Sequence, residues 1–121
     1  FGGNPLAAAV ARAALAKLKS PELLENVEAR GAQLVAGLHD INSRLGVFSG
    51  VRGRGLMQGG VLVEEHAARV AEVLDAAADE GLLVLSAGVG VLRFVPALNI
   101  REDELAEGLQ RLDRALRSVF G

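Results

Sequence analysis

Apolar residues along this chain switch several times between helical and strand-like spacing, and that alternation limits the possible folds. Between residues 24 and 45 they lie three and four apart, which predicts a long amphipathic helix that ends near Gly46. Between residues 47 and 63 glycines are interspersed among aliphatic side chains, which predicts two short strands in a hairpin-like arrangement. Since strands and helices do not alternate regularly, the order argues against a doubly wound parallel sheet and favours an α+β fold.

The other elements follow from the same kind of pattern. An Asn4-Pro5 start signal predicts an alanine-rich helix over residues 5–19, ahead of the long helix that Ser20-Pro21 begins. Three further elements are predicted downstream: a helix at 67–80 closed by Gly81, a pair of strand runs at 82–86 and 91–95, and a helix from Glu102 to the chain end. We therefore predict a small antiparallel sheet with helices on one face, preceded by two helices.

Composition excludes several classes of protein. The 13 basic and 15 acidic residues are spread without long runs, so no nucleic-acid partner is expected. Charged residues interrupt every apolar segment before it reaches the length of about 18 residues that a membrane span needs. The chain has no cysteine, which excludes disulfides and thiolate metal sites and fits a cytoplasmic protein. Its opening at Phe1 carries no signal sequence, and we interpret the chain as a piece of a longer protein.

Two sequence patterns resemble ligand sites but lack features that such sites need. Gly53, Gly55 and Gly59 resemble a dinucleotide-binding fingerprint, but another strand follows them instead of the helix N-terminus that would hold a pyrophosphate. His39 and His66 each lack a second imidazole or carboxylate at a metal-ligand spacing, so we interpret both as surface helix residues. No metal site is expected.

Arg93 is the candidate functional residue. It interrupts the apolar run 91–95, and the two-residue period of a strand places its side chain on the same face as Val91 and Val95. A guanidinium there needs an anion, which it can hold in a two-pronged hydrogen bond. From the residues alone an internal Asp or Glu partner is favoured over a ligand carboxylate, because buried charges are usually paired within the fold.

Three segments, at 1–7, 51–56 and 92–98, together resemble the class III aminotransferases, in the same order and spacing over essentially the whole chain. The resemblance is strongest to the acetylornithine and succinylornithine aminotransferases. It implies the C-terminal part of a fold type I pyridoxal-phosphate enzyme that works as a homodimer. Residues 1–45 would then be the end of the large domain with a connecting long helix, and residues 46–121 the small α+β domain.

The resemblance also implies roles for single residues. Arg93 matches the arginine that binds the substrate α-carboxylate, which reverses the preference for an internal salt bridge. Phe1 and Gly2 adjoin the position of a cofactor-phosphate threonine that would come just before them. Lys17 and Lys19 do not match the lysine that binds pyridoxal phosphate, and no catalytic residue is assigned. The chain alone is therefore expected to be inactive.

The implied reaction transfers the amino group of N-acetylornithine to 2-oxoglutarate. Ornithine, succinylornithine and 4-aminobutyrate are the alternative amino donors, and a small amino-acid-sensing regulatory module is the alternative without catalysis. Arg52 and Arg54, in the glycine-rich strands, are interpreted as structural, either paired with neighbouring acids or covering apolar surface.

Overall fold

A computed structural model describes residues 19–121; the helix predicted over residues 5–19 lies almost entirely outside them. The described part is an α+β unit, as predicted. Its elements in chain order are α1 (Pro21–Leu45), β1 (Phe48–Arg54), β2 (Met57–Leu62), a 3-10 helix (Glu64–Arg69), α2 (Val70–Asp79), β3 (Leu85–Ser86), β4 (Val91–Phe94) and α3 (Glu102–Phe120). None of the helices within residues 19–121 is long and apolar enough to cross a membrane.

Helix α1 begins and ends where the sequence predicts. The Ser20 hydroxyl accepts a hydrogen bond from the Leu23 amide at 3.3 Å, and Pro21 occupies the first helical turn, where its missing amide hydrogen costs nothing. At the other end Gly46 adopts a left-handed conformation with φ of 62° and donates to the Asn42 carbonyl. Glycine ends the helix here because it reaches this conformation without steric cost.

The four strands form one antiparallel sheet in the order β1-β2-β4-β3. Strands β1 and β2 make the predicted hairpin, with a register shift between Phe48 and Gly50. β4 pairs with β2 on one side and with the short β3 on the other. The strand that carries Arg93 therefore lies inside the sheet.

All three α-helices pack on one face of this sheet. Leu92 and Phe94 of β4 are buried in the same cluster as residues from each α-helix, namely Leu34, Leu38 and Ile41 of α1, Val73 and Ala77 of α2, and Leu105, Leu112 and Leu116 of α3. Since successive strand residues point to opposite faces, Arg93 lies on the face away from the helices. The prediction of helices on one face is confirmed.

Two elements differ in detail from the sequence prediction. The helix expected over residues 67–80 starts earlier, as a 3-10 helix in which the His66 amide donates to the Val63 carbonyl, and becomes α-helical at Val70. The first strand run, expected at 82–86, is paired only at Leu85–Ser86. Its partner β4 is four residues long, and Gly88 and Gly90 turn the connection with positive φ, so few residues stay in register.

The hairpin turn between β1 and β2 lies directly against α1. A β-carbon built on Gly31 would come within 2.7 Å of the carbonyl oxygen of Gly55 in that turn. The Gln58 side chain, which is buried, donates from Nε2 to the same carbonyl at 2.9 Å. Helix and turn are thus in backbone-to-backbone contact.

Candidate functional site

Arg93 occupies the centre of a row of residues that crosses the sheet. It lies opposite Gly59 of β2 and Leu85 of β3, and Gly59 in turn lies opposite Arg52 of β1. Directly opposed residues in antiparallel strands share a face, so the row lies on the side away from the helices. Arg93 and Arg52 are both exposed and stand two strand spacings apart, about 10 Å.

Arg93 has no acidic partner in the part of the chain that the structure describes. No salt bridge or side-chain hydrogen bond within residues 19–121 involves it. The strands of the sheet contain no Asp or Glu, and neither do residues 1–18 of the sequence. The internal ion pair that the residues alone favoured is therefore not found, and the guanidinium is accessible to an anion from outside the described residues.

The same face of the sheet carries two further arginines and several apolar side chains. Arg52 and Arg54 form no ion pair among residues 19–121, so pairing with neighbouring acids, one of their two predicted roles, is not found there. Arg54 lies opposite Met57, which is 58% exposed. Leu85 beside Arg93 is also exposed. The face away from the helices is thus positively charged and partly apolar.

The loop after β4 is fastened to α1 by one side chain. Asn26 Nδ2 donates to the Leu98 carbonyl at 2.8 Å and to the Ile100 carbonyl at 3.0 Å. Both carbonyls belong to a turn closed by a hydrogen bond of 3.0 Å from the Ile100 amide to the Ala97 carbonyl. The segment that follows Arg93 is therefore held at two positions of its turn.

Asn26 belongs to a polar strip on α1 that sequence analysis did not single out. Gln33 Nε2 donates to the Glu102 carbonyl at 3.0 Å, and Arg30 Nη1 lies 2.8 Å from Gln33 Oε1 and 3.6 Å from Glu102 Oε2. The buried Nε of Arg30 has no hydrogen-bond partner within the described residues. The strip was detectable in principle, because positions 26, 30 and 33 recur at helical spacing beside the apolar stripe.

A groove of about 500 Å³ lies next to this loop, between the loop and α3. Its walls are mainly apolar and include Phe94, Val95, Pro96 and Leu105. Arg93 does not line it. The groove is therefore a separate feature from the face on which Arg93 is exposed.

The two histidines and the glycine-rich turn lie in different parts of the described structure. His39 is exposed on α1, and His66 stacks on the Phe120 ring with 4.0 Å between ring centroids. No group of three or more His, Cys, Asp or Glu residues within 19–121 could hold a metal ion. The glycine-rich turn at 55–56 leads into β2, so it offers no helix N-terminus to a phosphate.

The remaining candidates lie at the start of the chain. Phe1, Gly2 and Lys17 fall outside the described residues. Lys19 is exposed in a turn ahead of α1. The described residues offer no lysine within the sheet that could bind the aldehyde of pyridoxal phosphate, and they have no carboxylate in its strands that could pair with a pyridine nitrogen.

Comparison with protein families gives a match to the model described as aminotransferase class-III, over residues 1–116. Among curated proteins, the chain is 59% identical over 116 residues to an acetylornithine aminotransferase from Xanthomonas campestris pv. campestris. The match covers 96% of this chain and 28% of that relative. The chain thus spans less than a third of the length of this relative.

Solved structures give the same result. The fold matches an N-acetylornithine aminotransferase from Stenotrophomonas maltophilia with a TM-score of 0.93 and 55% identity, over 97% of this chain and 32% of that one. An ornithine aminotransferase from Toxoplasma gondii, whose structure has PLP at partial occupancy in the active site, matches with a TM-score of 0.85 and 30% identity. That match covers 97% of this chain and 28% of the Toxoplasma chain.

Proposed function

Because the chain belongs to the class-III aminotransferase family, we propose that it supplies the substrate-carboxylate arginine, Arg93, of an enzyme that transfers the amino group of N-acetylornithine to 2-oxoglutarate. The exposed guanidinium of Arg93 has no acidic partner among residues 19–121, and the strands around it contain no Asp or Glu; this is the observation that carries the proposal. The high identity to acetylornithine aminotransferases supports N-acetylornithine as the donor.

The chemistry of arginine suits this role. Its planar fork of donors matches a carboxylate with two parallel hydrogen bonds, which fixes the orientation of the bound acid as well as its position. The amino donor and the 2-oxo acid both carry a carboxylate next to the reacting carbon. One fixed arginine can therefore orient each of them in turn for proton transfer at that carbon.

Position within the sheet supports the assignment further. Arg93 lies in β4, which pairs with neighbours on both sides and whose flanking residues, Leu92 and Phe94, are buried in the core. A side chain on such a strand starts from a backbone that the sheet restrains as far as Phe94. A binding residue gains from this, because a site that is held in place before the ligand arrives loses less entropy on binding.

The cofactor of this family, pyridoxal phosphate, supplies the electron sink for amino transfer when it is bound. The described residues do not fit it, so we assign its lysine, its phosphate contacts and its pyridine contact to other parts of the complete enzyme.

On this proposal residues 1–45 are the end of the large domain with its connecting helix, and residues 46–121 are the small domain. The 121-residue chain by itself neither binds the cofactor nor catalyses the reaction. Further parts of the proposal are a homodimeric enzyme, which sedimentation of the complete protein would test, and a cytoplasmic location, which cell fractionation would test.

Replacing Arg93 by Lys in the complete enzyme tests the assignment. The ammonium of lysine keeps the charge but cannot form the two-pronged bond, and loss of a charged hydrogen bond costs on the order of 2 kcal/mol. We therefore expect kcat/KM to fall by about thirtyfold or more for N-acetylornithine and for 2-oxoglutarate alike. Steady-state kinetics with each substrate varied in turn measures both values.

Arg54→Lys is the matched control. Arg54 is exposed on the same face of the sheet but lies in β1, outside the row that contains Arg93. We expect this variant to keep the kcat/KM of the unmodified enzyme. If Arg93→Lys behaves like Arg54→Lys for both substrates, Arg93 does not bind the carboxylate.

A further inference from the structure

We propose that Asn26 is a positioning residue for the carboxylate site, because it holds the loop that continues from the strand of Arg93. The proposal rests on the assignment of Arg93 to the substrate carboxylate. Asn26 lies on α1 and acts through the backbone of residues 97–100. Asn26 affects the reaction indirectly, through the position in which it holds Arg93.

The hydrogen-bond partners of Asn26 fix the orientation of its side-chain amide. Both of its partners, the carbonyl oxygens of Leu98 and Ile100, can only accept hydrogen bonds. The NH₂ end of the amide must therefore face them, and its two hydrogens serve one carbonyl each. At 2.8 and 3.0 Å both bonds have ordinary length for this type.

We call the two hydrogen bonds from Asn26 to Leu98 and Ile100 the clamp. Only a short segment of chain connects the clamped turn with Arg93. The ladder of β4 ends at Phe94, the residue after Arg93, and Leu98 comes four residues later. Within those four residues Pro96 has a ring-fixed φ, which removes one rotation from the segment. Little slack separates the clamped turn from the end of the strand, so a shift of the turn moves the strand end.

The pairing of β4 leaves its C-terminal end dependent on the loop. On one side β3 contributes two residues, Leu85 and Ser86, and its pairing stops at Arg93. On the other side the pairing with β2 stops at Phe94. Beyond Phe94 the hydrogen bonds from Asn26 are the direct polar attachment of residues 95–100 to another element within the described part of the chain.

Loss of the clamp should therefore loosen Arg93 without removing it. When only a fraction of the molecules holds the binding-competent arrangement, apparent affinity falls by that fraction. The carboxylate site serves donor and acceptor alike, so KM should rise for both by a similar factor while kcat changes less. Substitution of a residue that merely stabilises the fold would leave both KM values unchanged at temperatures where the enzyme stays folded.

Asn26→Asp in the complete enzyme tests this inference. The substitution keeps the shape of the side chain but replaces the NH₂ group, with its two N–H donors, by a carboxylate oxygen that cannot donate to either carbonyl. We expect both KM values, for N-acetylornithine and 2-oxoglutarate, to rise by about tenfold, a factor near the lower end of what the loss of two neutral hydrogen bonds can produce. Amide hydrogen exchange of residues 95 and 97–101, including the Ile100 amide that closes the turn, should become faster by a similar factor.

Two variants serve as controls. Gln33→Glu makes the same change of charge on the same helix and removes a hydrogen bond to Glu102, which lies beyond the loop, so both KM values should stay unchanged. Asn26→Gln keeps the amide donor on a longer side chain and should recover part of the affinity. If Asn26→Asp does not fold, Asn26→Ala removes the same donors without adding charge and carries the same expectation.

The outcomes separate this inference from the proposed function. Faster exchange in the loop with both KM values unchanged would show that Asn26 holds the loop without positioning Arg93, which overturns the inference and leaves the proposed function standing. Equal effects of Gln33→Glu and Asn26→Asp would also overturn it. If Arg93→Lys, measured in parallel, leaves kcat/KM unchanged for both substrates, the proposed function fails, and the inference that Asn26 positions the carboxylate site fails with it.

Discussion

Substitution of Gly31 tests quantitatively how closely α1 packs against the turn between β1 and β2. A β-carbon at this position would lie 2.7 Å from the carbonyl oxygen and 2.9 Å from the carbonyl carbon of Gly55. Both are backbone atoms of the turn between β1 and β2. The turn cannot easily retreat, because Gln58 donates a hydrogen bond to the same carbonyl and the φ of Gly55 is 51°.

The sign of the effect of Gly31→Ala follows from two opposing terms. Alanine in a helix interior is favoured over glycine by about 1 kcal/mol. Overpacking against a rigid neighbour costs about 1–3 kcal/mol, with 2 kcal/mol as a central value. We therefore expect the free energy of unfolding to fall by about 1 kcal/mol, or Tm to fall by about 4 °C for a domain of this size.

Gly37→Ala on the same helix is the matched control. Its β-carbon would meet the methyl groups of Leu109, which lie at the end of a flexible side chain and can rotate away. The gain in helix propensity should then dominate, and stability should stay equal or rise by up to about 1 kcal/mol. Urea unfolding followed by far-ultraviolet circular dichroism measures both variants. A Gly31→Ala variant as stable as the unmodified chain, or as stable as Gly37→Ala, would refute the contact between helix and turn.

Two other predictions can be checked directly. Arg69 donates to both carboxylate oxygens of Glu72, at 2.7 and 3.1 Å, and these hydrogen bonds lower the pKa of Glu72. Because the pKa is depressed in the folded state, the stabilising contribution is present above the unfolded-state pKa and is lost as pH falls through the folded-state pKa. In Arg69→Met the Glu72 pKa should return toward its ordinary value in an NMR titration, and an unchanged midpoint would contradict the pairing. Pyridoxal phosphate added to the 121-residue chain should keep the absorption spectrum of the free cofactor; a new visible band would contradict the assignment of its lysine to another part of the enzyme.

Local signals determined most of the secondary structure. Ser20-Pro21 and Gly46 mark the ends of α1 in the sequence because helix capping involves residues only a few positions apart. The apolar stripe from Leu105 to Leu116 likewise predicts α3, in which Leu105, Leu112 and Leu116 are buried. Agreement is poorer for β3, because strand length depends on what the partner strand can pair with.

The candidate site was predictable in part. Period-two alternation places Arg93 on the face opposite to Leu92 and Phe94, and the structure has this arrangement. The residues alone favoured an internal acid as its partner. That preference failed within the described part of the chain, because whether an acid lies near depends on which strands become neighbours.

The sequence by itself determined where α1 starts and stops, where α3 starts, and that Arg93 interrupts an apolar strand. All of these depend on residues close together in the chain. The tertiary structure alone decided that β2 lies next to β4, that Arg52, Gly59 and Arg93 share one row, and that Asn26 reaches a turn more than seventy positions away. Such contacts arise from the packing of distant segments on a common core, and no short-range pattern encodes them.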